Sequence, residues 1–312
     1  MESKVAAYFD GKRVLITGAA SGIGAELVRQ MLAAGAVIRI ADWNEEALAK
    51  SKERLSAYEG RVSFYQVDVS KQEQVEAMVK KMAADYDGFD MIVNNAGIID
   101  RQSVENTSIE RFKQVMDLNF WGVLYGCYAA LPIFLAQGLG HIVNTASLGG
   151  ILHTPYQVAY CTSKSAALAF SDGLRYEMER KGIDVSTVCP GDVQSGLVIN
   201  SAKEAQPELY EKLKEPRIAK AILGDETGAT KEKLVNTKGR VVATTPFACS
   251  EIMEGLAEKA PIILTPREYL CDTMQLGKAF PYYFHLTGQE ALRAMAAKWG
   301  ANMDRTGNPD GL

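Results

Sequence analysis

Histidine is scarce in this chain of 312 residues: there are three, His141, His153 and His285, and they lie far apart. That spacing argues against a Ser-His-Asp triad and against a histidine-built metal centre. The five cysteines, Cys127, Cys161, Cys189, Cys249 and Cys271, are odd in number and lack metal-ligand spacing. Four sit inside apolar segments, as buried thiols of a reducing cytoplasm do, so a cytoplasmic location is expected. No stretch gathers Lys and Arg into a basic stripe, and the net charge is −4, so nucleic acid is not an expected partner. The opening MESKVAAYFDGKR has no apolar core of the kind a secretory signal carries. No run approaches the ~20 apolar residues of a membrane span. No basic amphipathic helix offers a membrane-surface contact either.

What the chain does have is a rhythm. RVLITGA (13–19), VIRIAD (37–42), VSFYQVDV (62–69), FDMIVNNAG (89–97), HIVNTAS (141–147), DVSTVCP (184–190) and APIILTP (260–266) are short and nearly continuously apolar. Such runs suit parallel strands covered on both faces. Between them, segments such as GAELVRQMLAAG (24–35) and QEQVEAMVKKMAADY (72–86) carry apolar residues at helical spacing. The alternation predicts an α/β fold with a doubly wound, seven-stranded parallel sheet flanked by helices. Residues 1–312 read as one domain, with a cofactor and catalytic core at 10–191. The stretch 192–244 is polar, shows no clear strand, and reads as a substrate lid. A last helix and strand follow at 245–266, with Thr245 as N-cap and Pro246 at the first helical position. The extension 267–312 is rich in aromatics and includes FPYYF (280–284). It caps the pocket, packs in a subunit interface or touches a membrane surface.

The first strand runs into TGAASGIG (17–24) and then directly into a helix. Gly18, Gly22 and Gly24 permit a tight turn and a close approach to a pyrophosphate, with Ser21 and Ile23 between them. The helix N-terminus behind them supplies N–H groups and a positive dipole end. A bare structural turn is the alternative, and the strand-to-helix context favours a dinucleotide. Asp42 ends the second strand, where its carboxylate can hold the ribose hydroxyls and repel a 2′-phosphate. Arg39 lies three residues back within that strand, so the expected cofactor is NAD rather than NADP. Asp68 and Val69, at the end of the third strand, can reach an adenine edge; for Asp68 a strand-end cap is an equal reading.

A tyrosine and a lysine four residues apart in YCTSK (160–164) share one helix face. A free phenol titrates near pH ~10, too high for an efficient base. Lys164 and a positive nicotinamide ring both favour the phenolate and are expected to lower that value. Ser147, at the end of the fifth strand, can hydrogen-bond a substrate oxygen. In NNAG (94–97), Asn94 and Asn95 are expected to tie neighbouring strands, while Gly97 lets the backbone pass close to the cofactor.

Taken together, TGAASGIG, Asp42, Asp68-Val69, NNAG, Asn119, Ser147, YCTSK and Pro190-Gly191 resemble the short-chain dehydrogenase/reductase family in its single-domain, Rossmann-type form. The resemblance implies a nicotinamide-dependent oxidoreductase whose catalytic residues are Asn119, Ser147, Tyr160 and Lys164. It also implies a water link from Asn119, in a locally bent helix, to Lys164. The cofactor set it implies adds Asn95, Ala96, Gly97, Pro190, Gly191, Val193 and Ser195, the last standing where threonine is usual. Segments 107–138 and 156–181 resemble the family's dimer-forming helices, so a homodimer or homotetramer is expected. Substrate contacts are expected from Ile98–Arg101, from Leu148–Gln157 and from the excursion after Val193. Leu148, His153 and Gln157 are singled out, although for His153 the reading as an exposed loop residue is preferred over a substrate contact. The expected reaction interconverts a secondary alcohol with an apolar body and its ketone. An epimerase or dehydratase and an NAD-binding redox sensor are the alternatives.

Overall fold

All seven of these runs form strands, most of them buried on both faces and the edge run at 62–66 only half-buried. The computed structural model describes residues 2–153, 156–197, 201, 210–211, 233–235 and 241–266. The strands are β1 (Arg13–Thr17), β2 (Val37–Asp42), β3 (Val62–Gln66), β4 (Met91–Asn94), β5 (Gly140–Thr145), β6 (Ile183–Pro190) and β10 (Ile262–Thr265). They pair in the order β10-β6-β5-β4-β1-β2-β3, all parallel. This is the Rossmann-type doubly wound sheet. The order reverses between β1 and β4, and a crevice opens beyond their carboxyl ends.

Helices cover both faces. On one side α2 (Gly22–Ala33) and α8 (Thr245–Ala257) enclose Leu27, Met31, Ile38, Ile40, Ile252 and Leu256. On the other, α4 (Gln72–Tyr86), α6 (Gly122–Gln137) and α7 (Val158–Met178) enclose Met78, Met82, Phe89, Phe134 and Ile142. A short α1 (Glu2–Phe9), with Phe9 fully buried, and α3 (Glu45–Arg54) complete the first layer.

Several expectations need correction. The stretch 192–244 does carry strands: β7 (Val193–Gln194), β8 (Lys233–Val235) and β9 (Val241–Thr244) make a small sheet ordered β7-β9-β8. These strands are two to four residues long, too brief to stand out against polar surroundings. Most of the expected lid and the whole of 267–312 lie outside the described residues. Thr244, not Thr245, takes the N-cap position of α8; Thr245 is its first residue and Pro246 its second. The Thr245 hydroxyl is used elsewhere, donating to the Gln194 carbonyl at 2.5 Å.

The apolar content of one helix also exceeds expectation. Helix α5 (Ile109–Met116) continues through a π-helical turn (Asp117–Trp121) into α6. By length and composition alone, the run Ile109–Gln137 could cross a membrane. It is apolar on two sides: Val115, Val123, Cys127, Ala130 and Phe134 face the core, while Trp121, Tyr128 and Leu135 are exposed.

One buried histidine ties four elements together. Ser186 Oγ donates its only proton to the Ala260 carbonyl at 2.7 Å, so His141 Nε2 must be the donor in its 2.9 Å contact with that oxygen. His141 Nδ1 is then an acceptor, and Tyr8 Oη of α1 donates to it at 2.7 Å. Burial pushes the imidazole from its ordinary 6.5 down to about 4; Asp184 opposes this, while Lys259 and Lys12 reinforce it. A histidine depressed in the folded state stabilises fully above 6.5, and that contribution is lost as pH falls towards 4. The loss is on the order of 3 kcal/mol. Urea unfolding across that window should show it, and His141→Gln should flatten the slope; an equal slope in both proteins would refute the assignment.

Candidate active site

The crevice at the carboxyl ends of β1, β4 and β5 has a volume of about 1530 Å³. Its floor is the chain leaving β4. Thr17 Oγ1, at the end of β1, accepts from the amides of Asn95 (3.0 Å) and Ala96 (3.2 Å). Asn95 Nδ2 returns bonds to the carbonyls of Thr17 (3.1 Å) and Gly18 (3.2 Å). Asn94 joins β4 to β5 by donating to Asn144 Oδ1 at 2.8 Å. Both asparagines thus hold the architecture.

The glycine loop packs tightly on this floor. Gly18 has φ +62°, and a Cβ there would sit 2.7 Å from Ala96 Cα. A Cβ on Gly24 would collide with the Gly18 carbonyl and lie 2.7 Å from Asn95 Nδ2. The loop is therefore glycine-rich first because its own backbone has no room, before any ligand is considered. Helix α2 starts at Gly22 with Ser21 as N-cap, and the Ser21 side chain makes no capping bond. Ser21, Gly22 and Ile23 line the crevice, so the positive end of α2 faces it.

Asp42 is buried at the crevice edge, accepting from Ala20 N at 3.0 Å and Asn44 N at 3.1 Å. Arg39 turns away, bonding Ser63 Oγ at 3.2 Å and pairing with Asp85. Asp68 lies two residues beyond the end of β3 and accepts from Ser70 N (2.9 Å) and Ser70 Oγ (2.7 Å). It caps that turn and lines the crevice at once, as do Val69 and the exposed Trp43. A bowl with a helix N-terminus at one end and a fixed carboxylate beside an indole fits a dinucleotide.

At the other end, the π-helical turn buries Asn119 completely. Its Oδ1 accepts from Ile98 N at 2.8 Å, and its Nδ2 donates to Ile98 O at 2.9 Å and Ser163 Oγ at 3.0 Å. Ser163 Oγ passes its own proton to the Tyr160 carbonyl at 2.7 Å. Lys164 Nζ donates to the Thr145 carbonyl at 2.7 Å. A Cβ on Gly97 would lie 2.8 Å from Asn119 Oδ1 and 3.4 Å from Lys164 Nζ, so the two residues converge across that glycine. Ser147 stands two residues past β5, capping a short turn at Leu148–Gly150, and not on the strand itself. Its Oγ accepts from Gly149 N at 3.0 Å.

The electrostatics differ from expectation. Burial pushes the Tyr160 phenol up to about 12, against a lowering hydrogen bond with Ser147 and a lowering charge at Arg101. Burial also pushes Lys164 down to about 8. The ammonium lies 6.0 Å from the Tyr160 ring centroid, and it does not offset the loss of water around the phenol. Among the chain's own groups the pair does not lower the phenol, because burial outweighs the nearby charges.

Of the other expected residues, Ala96, Pro190, Gly191, Val193, Ser195, Leu148 and Gln157 all line the crevice. His153 does not: it is exposed, with Nε2 3.0 Å from Ser165 Oγ. Thr17 and Ser163 were not anticipated. Thr17 directly precedes the glycine loop and Ser163 lies between the tyrosine and the lysine, but hydroxyls at such places are too common to signal a role.

Fold and site define a dinucleotide-binding protein of the Rossmann type. A family model described as short chain dehydrogenase matches residues 12–206, and the chain belongs to that family. It is 36% identical over 207 residues to a "Probable oxidoreductase EphD" of Mycobacterium tuberculosis, covering 66% of this chain but 35% of that protein. It thus spans about a third of that relative's length. It is 35% identical over 198 residues to the 3beta-hydroxysteroid dehydrogenase 2 of Eggerthella lenta, covering 63% of this chain and 76% of that one. Among solved structures, a short-chain dehydrogenase/reductase of Burkholderia phymatum in complex with NAD superposes with a TM-score of 0.72. It is 26% identical and covers 88% of this chain and 95% of its own.

Gly24→Ala should lower the thermal midpoint, at a cost of about 1–3 kcal/mol, because its new methyl meets backbone on one side and Asn95 on the other. A calorimetric scan that matches the wild type would contradict the packing described.

Proposed function

We propose that this chain is an NAD-dependent oxidoreductase that interconverts a secondary alcohol, with an apolar body, and its ketone. The observation that carries the reading is the meeting of Ser147 and Tyr160 at Gly149, with Lys164 beside Gly97, in a crevice also lined by Asp42 and the start of α2. NAD would be held by the glycine loop, by Asp42 at the ribose, and by Asn95–Gly97, Gly191, Val193 and Ser195 along the floor. When bound, it supplies a hydride acceptor and the positive ring charge that the phenol needs.

In alcohol oxidation Tyr160 takes the hydroxyl proton as the carbon gives up its hydride; in ketone reduction the phenol returns that proton. Ser147 donates a hydrogen bond to the substrate oxygen and holds it against Tyr160. Lys164, anchored on the Thr145 carbonyl, keeps a cation beside the phenol. Asn119 does not touch the reacting atoms: its amide is committed to Ile98 and Ser163, so it positions the segments that carry Tyr160 and the floor.

NAD over NADP is supported by the buried Asp42 carboxylate and by Arg39 facing away. Lys71 lines the crevice near Asp68 and is the cation that would favour a phosphate. A homodimer or homotetramer is supported by exposed aromatics on α6 and α7, where Trp121 stacks on Tyr125 and Tyr128 on Phe170. Buried free thiols at Cys127, Cys161, Cys189 and Cys249 support a cytoplasmic location.

The test is absorbance of NADH with a panel of secondary alcohols, NAD and NADP run in parallel. Tyr160→Phe should lose at least ~10²-fold in kcat while still binding NAD. Unchanged turnover would remove Tyr160 from the chemistry, and NAD binding without any turnover would favour a redox sensor. Oxidation should speed up with rising pH and reduction slow down, since the two directions need phenolate and phenol respectively. Asp42→Ala should bring NADP turnover towards that with NAD; a preserved preference would transfer the selectivity elsewhere.

A further inference from the structure

The glycines that line the crevice differ in what keeps them glycine. Gly18 and Gly22 have positive φ, and a Cβ on Gly22 would lie 2.8 Å from the Ser195 carbonyl oxygen. On Gly97 it would lie 2.8 Å from Asn119 Oδ1. Gly149 carries neither restraint, and its φ is not positive. Among the described residues, a Cβ there would meet nothing closer than Ser147 Oγ and Tyr160 Cε1 at 3.4 Å and Cys161 Sγ at 3.6 Å. These are ordinary contact distances. Its neighbour Gly150 shows the contrast, since a Cβ on it would sit 2.8 Å from the Lys164 backbone. The turn Leu148–Gly150 thus needs glycine at its end but not at its centre.

The position is a telling one. In the alcohol/ketone reading Ser147 and Tyr160 hold the substrate oxygen, and a side chain on Gly149 would touch both. An oxygen bonded to their hydroxyls lies within about 3 Å of each, so the first carbons of the substrate are the atoms such a side chain would crowd. The surroundings are aliphatic. Leu148 and Leu152 line the crevice beside the turn, and Ile99 and Leu197 pack with Tyr160 and Cys161. A hydrocarbon group entering there leaves water for an apolar lining.

We propose that the bare centre of this turn admits a bulky hydrocarbon group next to the carbinol carbon, so that the substrate is a hindered secondary alcohol, branched at that neighbouring carbon. This rests on the alcohol/ketone reading of the same site and names the substrate class within it. Gly149 then sets specificity by the side chain it lacks and takes no part in moving the proton or the hydride.

The experiment compares straight-chain and alicyclic secondary alcohols with the same alcohols carrying two methyl groups on the carbon next to the carbinol. With NAD, kcat/KM is measured for the wild type, Gly149→Ala and Gly149→Val. The wild type should use the hindered alcohols at least as well as the plain ones. Gly149→Ala should lower the hindered-to-plain ratio by about tenfold to a hundredfold, and Gly149→Val should lower it further. A wild type that rejects the hindered set, or a ratio unchanged in Gly149→Ala, overturns the proposal. If the new side chain only displaces Ser147 or Tyr160, both sets lose rate alike and the ratio stays, which also overturns it. The thermal midpoint of Gly149→Ala without ligand should equal or exceed that of the wild type, because the backbone there suits alanine. A clear fall would make the glycine a requirement of the fold and overturn the proposal. Thermal protection by the two alcohol sets, with NAD present, reads the space without turnover. Protection by hindered alcohols that vanishes in Gly149→Ala, with no alcohol oxidised, keeps the space and rejects the oxidoreductase reading. Oxidation of both sets with a ratio indifferent to residue 149 does the reverse.

Discussion

The constraint on which the rest depends is the narrow passage of the chain from Asn95 to Ile98. Its amides are taken by Thr17, its first side chain closes onto the glycine loop, and its last residue is gripped by Asn119. Gly18 and Gly24 press on it from one side, Asn119 and Lys164 from the other. Four residues thus fix the distance between the glycine-loop end of the crevice and the end that holds Asn119 and Lys164. Each partner comes from a different element, and none can shift alone because interiors packed at this density transmit displacement.

The electrostatic consequence follows from the same tightness. Tyr160 and Lys164 are both out of water, and desolvation favours their neutral forms. Burial thereby keeps the Tyr160 phenol protonated at neutral pH among the chain's own groups. Ser147 and Arg101 lean the other way, yet burial prevails.

Much of this was legible in the sequence, and the reasons are specific. The seven strands announced themselves because a parallel sheet buries both faces, leaving unbroken apolar runs such as MIVN. Strand ends were overestimated at 18–19, 67–69, 95–97 and 146–147 because the residues that turn into the crevice remain small or apolar. Tyr160, Lys164 and Ser147 were legible through their order and spacing. The loss of basicity at Lys164 was not, since burial depends on what packs around a residue and not on its neighbours in the chain. Nor was the division of labour at Asn119, whose amide is consumed by Ile98 and Ser163. The little sheet of β7, β8 and β9 escaped because its strands have only two to four residues each and β7 pairs with β9 fifty residues further on.

The edge strand β10 has a consequence for how the chain reaches its folded form. It pairs in parallel with β6 from Thr187 to Pro190, yet it is made long after β6 in the chain. Closing so long a loop adds little to its cost in free energy, because that cost grows only logarithmically with length. Time is the larger burden: until Ile262–Thr265 docks, β6 ends the sheet with open hydrogen-bonding groups along an apolar face. During synthesis and refolding that edge is a template for other chains. A chain interrupted before Ile262 would keep the crevice-forming strands and carry a permanent aggregation seam.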